Sequence, residues 1–138
     1  MRCRGNNLQR RAGASHAADT LLERGAYLMN GIVACGNCHN MRGPDGRFIE
    51  GGELAGGFVI AETMFTARVP NIPPDMATGI GAWSDAEIAA ATTKGVRPDG
   101  GQLHPIMPSG FYATVDKADI DALVAFLRTV KPVVNAVR

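Results

Sequence analysis

Residues 35–39 read Cys35-Gly36-Asn37-Cys38-His39, and no other stretch constrains the fold as strongly. Two thiols two residues apart, followed at once by an imidazole, form the attachment pattern of c-type haem. The thiols add across the vinyl groups of haem b to give two thioethers. The two-residue spacer sets the sulfurs at the separation of those vinyls on one helical turn, and the imidazole of His39 lies under the iron as proximal ligand. Two other chemistries use the same residue types. A thioredoxin-like dithiol sits in an α/β fold, and no βαβ pattern is present. A structural zinc site needs about four ligands, and beyond this run only Cys3, His16 and His104 remain. The first two of these stand in a ragged N-terminal segment. One covalently bound haem c is therefore the expectation.

The chain has 138 residues, enough for one domain and one core. Its 17 glycines and 8 prolines predict extensive loops, which suits a small protein wrapped around a ring that itself supplies buried apolar surface. Charge is unevenly placed. The whole chain carries +1, but Arg2, Arg4, Arg10 and Arg11 all precede the first acidic residue, Asp19, so the part after residue 18 is formally −3. The lysines are Lys94, Lys117 and Lys131 alone. Nothing here points to nucleic-acid binding. No apolar run is long enough to span a membrane, and no signal h-region follows the Arg-rich start. Haem c is assembled outside the cytoplasm, so the chain is expected to be mature, truncated or recombinant, or to have a misassigned start. Residues 1–18 read as a tail, with Cys3 a free thiol in it, and residues 19–138 as a mono-haem domain.

Thr20 and Glu23 form a capping box opening a helix from about Leu21 to Val33. Leu21, Gly25, Leu28 and Ile32 fall on one stripe, with Leu22, Met29 and Val33 beside it. Gly25 costs roughly 1 kcal/mol relative to alanine in a helix, a cost that close approach by another helix would explain. Residues 40–82 look irregular: Gly43-Pro44-Asp45-Gly46 is a turn signal, and Pro70, Pro73 and Pro74 forbid regular structure. Two apolar stretches in 47–60, parted by Gly51-Gly52 and followed by Gly56-Gly57, suggest a small hairpin. Ser84 and Glu87 make a second capping box, opening a helix to about Lys94 with Gly95 as its C-cap. Residues 96–111 read as a loop. Asp116 precedes a last helix with Ile120, Leu123, Val124 and Leu127 at helical spacing, stopped by Pro132 and expected to cross the first near Gly25. The class is all-α: three main helices joined by long loops.

A haem iron with one histidine leaves a sixth position for methionine, a second histidine or an exchangeable ligand. Met1 is in the tail, Met29 belongs to the helix core, and Met41 is too near His39 to reach the other haem face. Met64 and Met76, in the central loop, stay open. Met107 is the best candidate, because Pro105 and Pro108 would restrain its loop. His104 is the rival, and is expected to be exposed. Trp83 and Tyr27 read first as packing residues, with haem contact the second option. Asn71 and Arg68 are candidates for haem propionates or for a solvated loop.

Several segments occur in a telling order: Gly25-Ala26-Tyr27-Leu28, the C-x-x-C-H run, Pro70-Asn71-Ile72, the stretch from Gly79 to Ile88, Gly95-Val96-Arg97-Pro98-Asp99-Gly100, and Met107-Pro108. Residues 20–132 thereby resemble the class I cytochrome c domains of bacterial membrane-linked dehydrogenase complexes, such as those acting on alcohols, gluconate, aldehydes or N-heterocycles. The resemblance implies a cytochrome c fold with His39 and Met107 as axial ligands. Those subunits usually carry several haem domains and a membrane anchor, whereas this chain has one C-x-x-C-H run and no apolar run of spanning length. The family's Asn-Ile-Thr-Pro-Asp is here Asn71-Ile72-Pro73-Pro74-Asp75, so the threonine's polar role is missing. The expected function is a monomeric, non-enzymatic periplasmic one-electron carrier between a dehydrogenase donor and an oxidase or other acceptor. A bound subunit of a dehydrogenase complex, and a peroxidatic or ligand-binding haem protein with an open sixth site, are the alternatives. Met107 and its apolar neighbours Pro105, Ile106 and Pro108 are expected to rim the exposed haem edge.

Overall fold

The computed structural model describes residues 20–137. The expected tail, with Cys3 and His16, lies outside them. The first helix, α1, is α-helical over residues 20–27 and continues as a π-helical turn over Leu28–Ile32. Thr20 is already helical, so the helix start that the first capping box predicts lies outside the described residues. A one-turn helix α2 follows at Gly36–His39, then strands β1 (Val59–Glu62) and β2 (Phe65–Arg68), α3 (Asp85–Lys94), a short α4 (Ser109–Tyr112) and α5 (Lys117–Thr129).

Local chemistry accounts for the helix ends. The Ser84 hydroxyl accepts from the Glu87 N–H at 3.2 Å, and the Glu87 carboxylate accepts from the Ser84 N–H at 2.7 Å, the reciprocal pair that the spacing predicts. The Ser84 N–H, and then its hydroxyl at 2.9 Å, donate to the Glu87 carboxylate and hold it below its usual range. Gly95 closes α3 in the left-handed conformation. Asp116 sits at the N-cap of α5 without a side-chain cap bond.

The core is built where α1, α3 and α5 meet. Leu28, Met29, Ile88, Ile120, Leu123, Val124 and Leu127 are buried together with Leu54 and Ile80 from the connecting loops. Two ion pairs staple the helices. Arg24 on α1 grips Asp119 on α5 through two bonds of 2.8 Å, and Arg128 on α5 binds Asp85 at 2.8 Å and the Trp83 carbonyl at the head of α3. Half-exposed pairs of this kind contribute about 0–1 kcal/mol each, so apolar burial carries the stability.

Four expectations need correction. The apolar stripe of α1 does not run to its end: Ile32 is 72% exposed. The π turn inserts an extra residue per turn, which rotates Ile32 off the core face. Tyr27 stands beneath the Arg24 guanidinium instead of packing between helices. The hairpin exists but lies further along than 47–60, with Val59–Glu62 paired antiparallel to Phe65–Arg68 around Thr63-Met64; that turn contains no glycine, and the glycines upstream serve other bends. Residues 96–111 are not all loop, because α4 begins at Ser109, whose hydroxyl donates to the Ala91 carbonyl of α3 at 3.2 Å.

The crossing at Gly25 is observed. A Cβ built there would overlap the Ala122 carbonyl oxygen and stand 2.7 Å from Phe126 Cβ. Backbone cannot yield as a flexible side chain does. Gly25→Ala should therefore destabilise the protein by about 2 kcal/mol, overriding the roughly 1 kcal/mol that alanine gains in helix propensity. A urea titration should show a lower midpoint with an unchanged slope.

Candidate functional site

The C-x-x-C-H run occupies the turn it requires. Ala34 precedes it with φ 50°, a left-handed conformation that costs an alanine about 1–2 kcal/mol. That reversal separates the π turn from α2, which starts two residues on at Gly36. Within α2 the Cys38 and His39 N–H groups both donate to the Cys35 carbonyl, at 3.2 and 2.9 Å. Both thiols are free, Cys38 exposed and Cys35 half-buried. Burial pushes the Cys35 thiol up to about 11, against a smaller lowering by its own backbone hydrogen bond.

His39 is buried at 7% exposure. Its Nδ1 lies 3.0 Å from the Pro70 carbonyl oxygen. A carbonyl only accepts, so Nδ1 carries the proton and Nε2 keeps its lone pair. Burial holds the imidazole below the ordinary histidine range, partly offset by that bond. The neutral ring is the metal-binding form.

Gly56 locks this pair together. Its N–H donates to the His39 carbonyl at 2.6 Å. Its φ is +68°, and a Cβ there would overlap Pro70 and lie 2.5 Å from the Val69 oxygen. Asn40 braces the same layer by accepting the Leu54 N–H at 2.9 Å. Leu54 is itself strained at φ 60°, and its carbonyl accepts from Ile72 two residues past Pro70.

The other candidates lie on separate elements. Met107 is half-buried on a separate loop directly before α4, its N–H donating to the His104 carbonyl and its carbonyl accepting from Ser109. The Tyr112 hydroxyl at the other end of α4 reaches the Val33 carbonyl at 3.4 Å, and burial followed by the nearby thiols raises the Tyr112 phenol. His104 is exposed, stacked on Phe65 with ring centroids 4.5 Å apart. Met64 and Met76 are exposed at 94% and 69%, and Met29 is buried. Arg68 is exposed. Trp83 packs against the core. Asn71 is buried, donating to the Thr78 hydroxyl and to the Val133 carbonyl at 3.1 and 2.7 Å, so its amide ties the C-terminal strap down. The sequence reading missed the Pro70 carbonyl and Gly56 as partners of His39. Pro70 lies 31 residues away, and its proline marked only a break in regular structure.

Two thiols and a neutral, buried imidazole whose Nδ1 is held by a carbonyl lie on one turn, the donor types that c-type haem attachment uses. The Cytochrome c family model matches residues 22–131, and the chain belongs to that family, whose members carry covalent haem c. It is 38% identical over 121 residues to the gluconate 2-dehydrogenase cytochrome c subunit of Pantoea cypripedii, covering 87% of this chain and 26% of that protein. It is 39% identical over 114 residues to the fructose dehydrogenase cytochrome subunit of Gluconobacter japonicus, with 81% and 22% covered. With the cytochrome c subunit of the quinone alcohol dehydrogenase of Gluconacetobacter polyoxogenes it shares 36% over 118 residues, 85% and 24% covered. The chain thus spans about a quarter of the length of these relatives. Among the described residues no helix is long and apolar enough to cross a membrane.

The residues present fit the haem that the family implies. Two thiols and a buried, neutral imidazole with its second nitrogen already fixed are the donors that this group takes. Gly56→Ala should destabilise the holoprotein by about 3 kcal/mol, the sum of an unfavourable left-handed alanine and overpacking against Pro70. Gly57→Ala also sits at positive φ, but a Cβ there meets only the Asn135 amide at 3.3 Å, so it should lose about half as much or less. Denaturant midpoints of the two variants, measured side by side, check this.

Proposed function

We propose that this domain is a single-haem c-type electron carrier of the bacterial periplasm, taking electrons from a dehydrogenase and passing them to a respiratory acceptor. The observation that carries the reading is the His39 ring, held by the Pro70 carbonyl on the same turn as two free thiols. Cys35 and Cys38 form the two thioethers. His39 through Nε2 and Met107 through its sulfur would hold the iron. One haem follows from one C-x-x-C-H run in the chain. Once bound, the haem supplies a one-electron couple.

The rest is done by the chain. The Pro70 carbonyl fixes the tautomer and angle of His39 and raises its basicity as a ligand. Met107 offers a soft thioether, which favours the reduced state and sets a higher potential than a second histidine would. Its loop is braced by the His104 and Ser109 backbone bonds. Burial of the site disfavours the more highly charged oxidised form. Pro105, Ile106 and Pro108 are exposed beside Met107, and with the Phe65–His104 stack they offer an apolar rim for brief docking with a redox partner. A second reading is favoured by the relatives, which are cytochrome subunits of dehydrogenases: the domain works inside such a complex. Co-purification with a dehydrogenase from the native host separates the two.

Acid-acetone extraction should leave the colour with the protein, and the intact mass should exceed that of the polypeptide by one haem. Extractable colour, or a mass showing only zinc, would sink the reading. Met107→Ala should abolish the sulfur-to-iron charge-transfer band, lower the potential and admit carbon monoxide. His104→Ala, Met64→Ala and Met76→Ala should each leave the band in place; loss of the band in one of these, with its retention in Met107→Ala, would reassign the ligand.

A further inference from the structure

Arg42 stands three residues beyond His39. Its Nη2 donates to the carbonyl of Asn37, between the two cysteines, at 2.8 Å, and its Nη1 donates to the Gly46 carbonyl at 3.0 Å. The guanidinium carbon lies 4.3 Å from the Phe48 ring centroid and 5.4 Å from that of Phe58. Nε is buried and has no partner. None of the ion pairs among the described residues includes Arg42. The nearest basic neighbour in sequence, Arg47, has its side chain 88% exposed and faces Asp45.

Leaving a donor of an arginine buried and unpartnered is costly, and burying a charge without a counter-ion more so. Aromatic faces and backbone carbonyls lessen that cost by turning their negative sides toward the cation, but neither cancels its charge. A guanidinium does not lose its proton at any ordinary pH. A guanidinium that takes part in none of the ion pairs among the described residues is thus bonded to the backbone of the Cys35–His39 turn.

We infer that Arg42 is a positioning and tuning residue: its fixed charge raises the reduction potential of the haem bound at Cys35, Cys38 and His39. This rests on the functional reading above. The oxidised iron site carries one positive charge more than the reduced one, so a nearby cation that cannot leave penalises oxidation. Its partial burial shields it from salt, which screens exposed charges over about 8 Å at physiological ionic strength. The two carbonyl bonds and the ring contacts hold it at constant distance from the turn, so both redox states feel the same field.

The test is the midpoint potential of the covalently loaded protein in redox titration. Arg42→Gln should change the oxidised-to-reduced ratio at fixed potential by about threefold or more, a downward shift of about 30 mV at 59 mV per tenfold for one electron. Arg42→Met keeps an unbranched stem between Phe48 and Phe58 and removes the charge, so it carries the test if the glutamine variant does not accumulate loaded. Arg42→Lys should lose less than half of that shift, and Arg47→Gln should leave the midpoint in place. An unchanged midpoint in the loaded neutral variants, or a lysine variant that falls as far as they do, overturns the inference. An equal shift in Arg47→Gln does so too, because any surface charge would then suffice. Each variant keeping the absorption spectrum of the wild type shows that the ligands have not changed. A wild type that releases its haem to acid-acetone fails at the functional reading, and the inference falls with it.

Discussion

The hydrogen bond between His39 and the Pro70 carbonyl organises the molecule around it. Thirty-one residues separate the partners, and the intervening chain has to leave α2, turn and return with a carbonyl aimed at an imidazole nitrogen. Gly56 makes the return fit, because its missing side chain lets three strands of backbone touch: its own, that of His39 and that of Pro70. The hairpin is what remains of the excursion once those contacts are satisfied. The C-terminal strap then closes over the same layer, with the Asn135 amide on the Ala55 carbonyl at 2.7 Å and Asn71 on Val133.

Around this layer the helices act as a frame more than as a binding surface. Their shared core buries Leu28, Met29, Ile88, Leu123 and Leu127, and the ion pairs at either end of α5 fix its direction. The strained positions, Ala34 and Leu54, lie in the loops next to the attachment turn and not in the frame. Strain at such sites persists only where surrounding contacts over-determine the backbone. A site for electron transfer gains from this arrangement, because groups that scarcely move between redox states need little reorganisation.

What was legible in the sequence was whatever depends on neighbours along the chain. The helical turn of the C-x-x-C-H run, the Ser84–Glu87 box, the Gly95 cap and the periodic face of α5 are all written within a few residues, and the crossing at Gly25 followed because a glycine on an apolar stripe needs a reason. What was hidden depends on distant partners or weak local signals. The π turn rotates Ile32 outward, and the Gly31 inside it gave no sign of a change in helix type. The true hairpin turn, Thr63-Met64, lacks the residues that mark such turns. Asn71 looked available to a cofactor because nothing in its neighbourhood reveals that Val133, 62 residues on, takes its amide.

The meeting of α1 with α5 also bears on the order of assembly. Arg24 and Asp119 are 95 residues apart, so the contact that seals the frame is among the last for which both halves exist as the chain is synthesised. The entropy of closing so long a loop grows only slowly with length, but it must be met before the contact rewards it, and folds dominated by distant contacts form slowly. The cysteines at positions 35 and 38 follow directly on α1 and emerge long before α5 does. There is thus an interval in which the attachment turn is made while the helix that will hold its neighbour in place is not. The turn at Cys35–His39 closes on itself through bonds to the Cys35 carbonyl, whereas α1 waits on a helix that lies nearly the whole domain away.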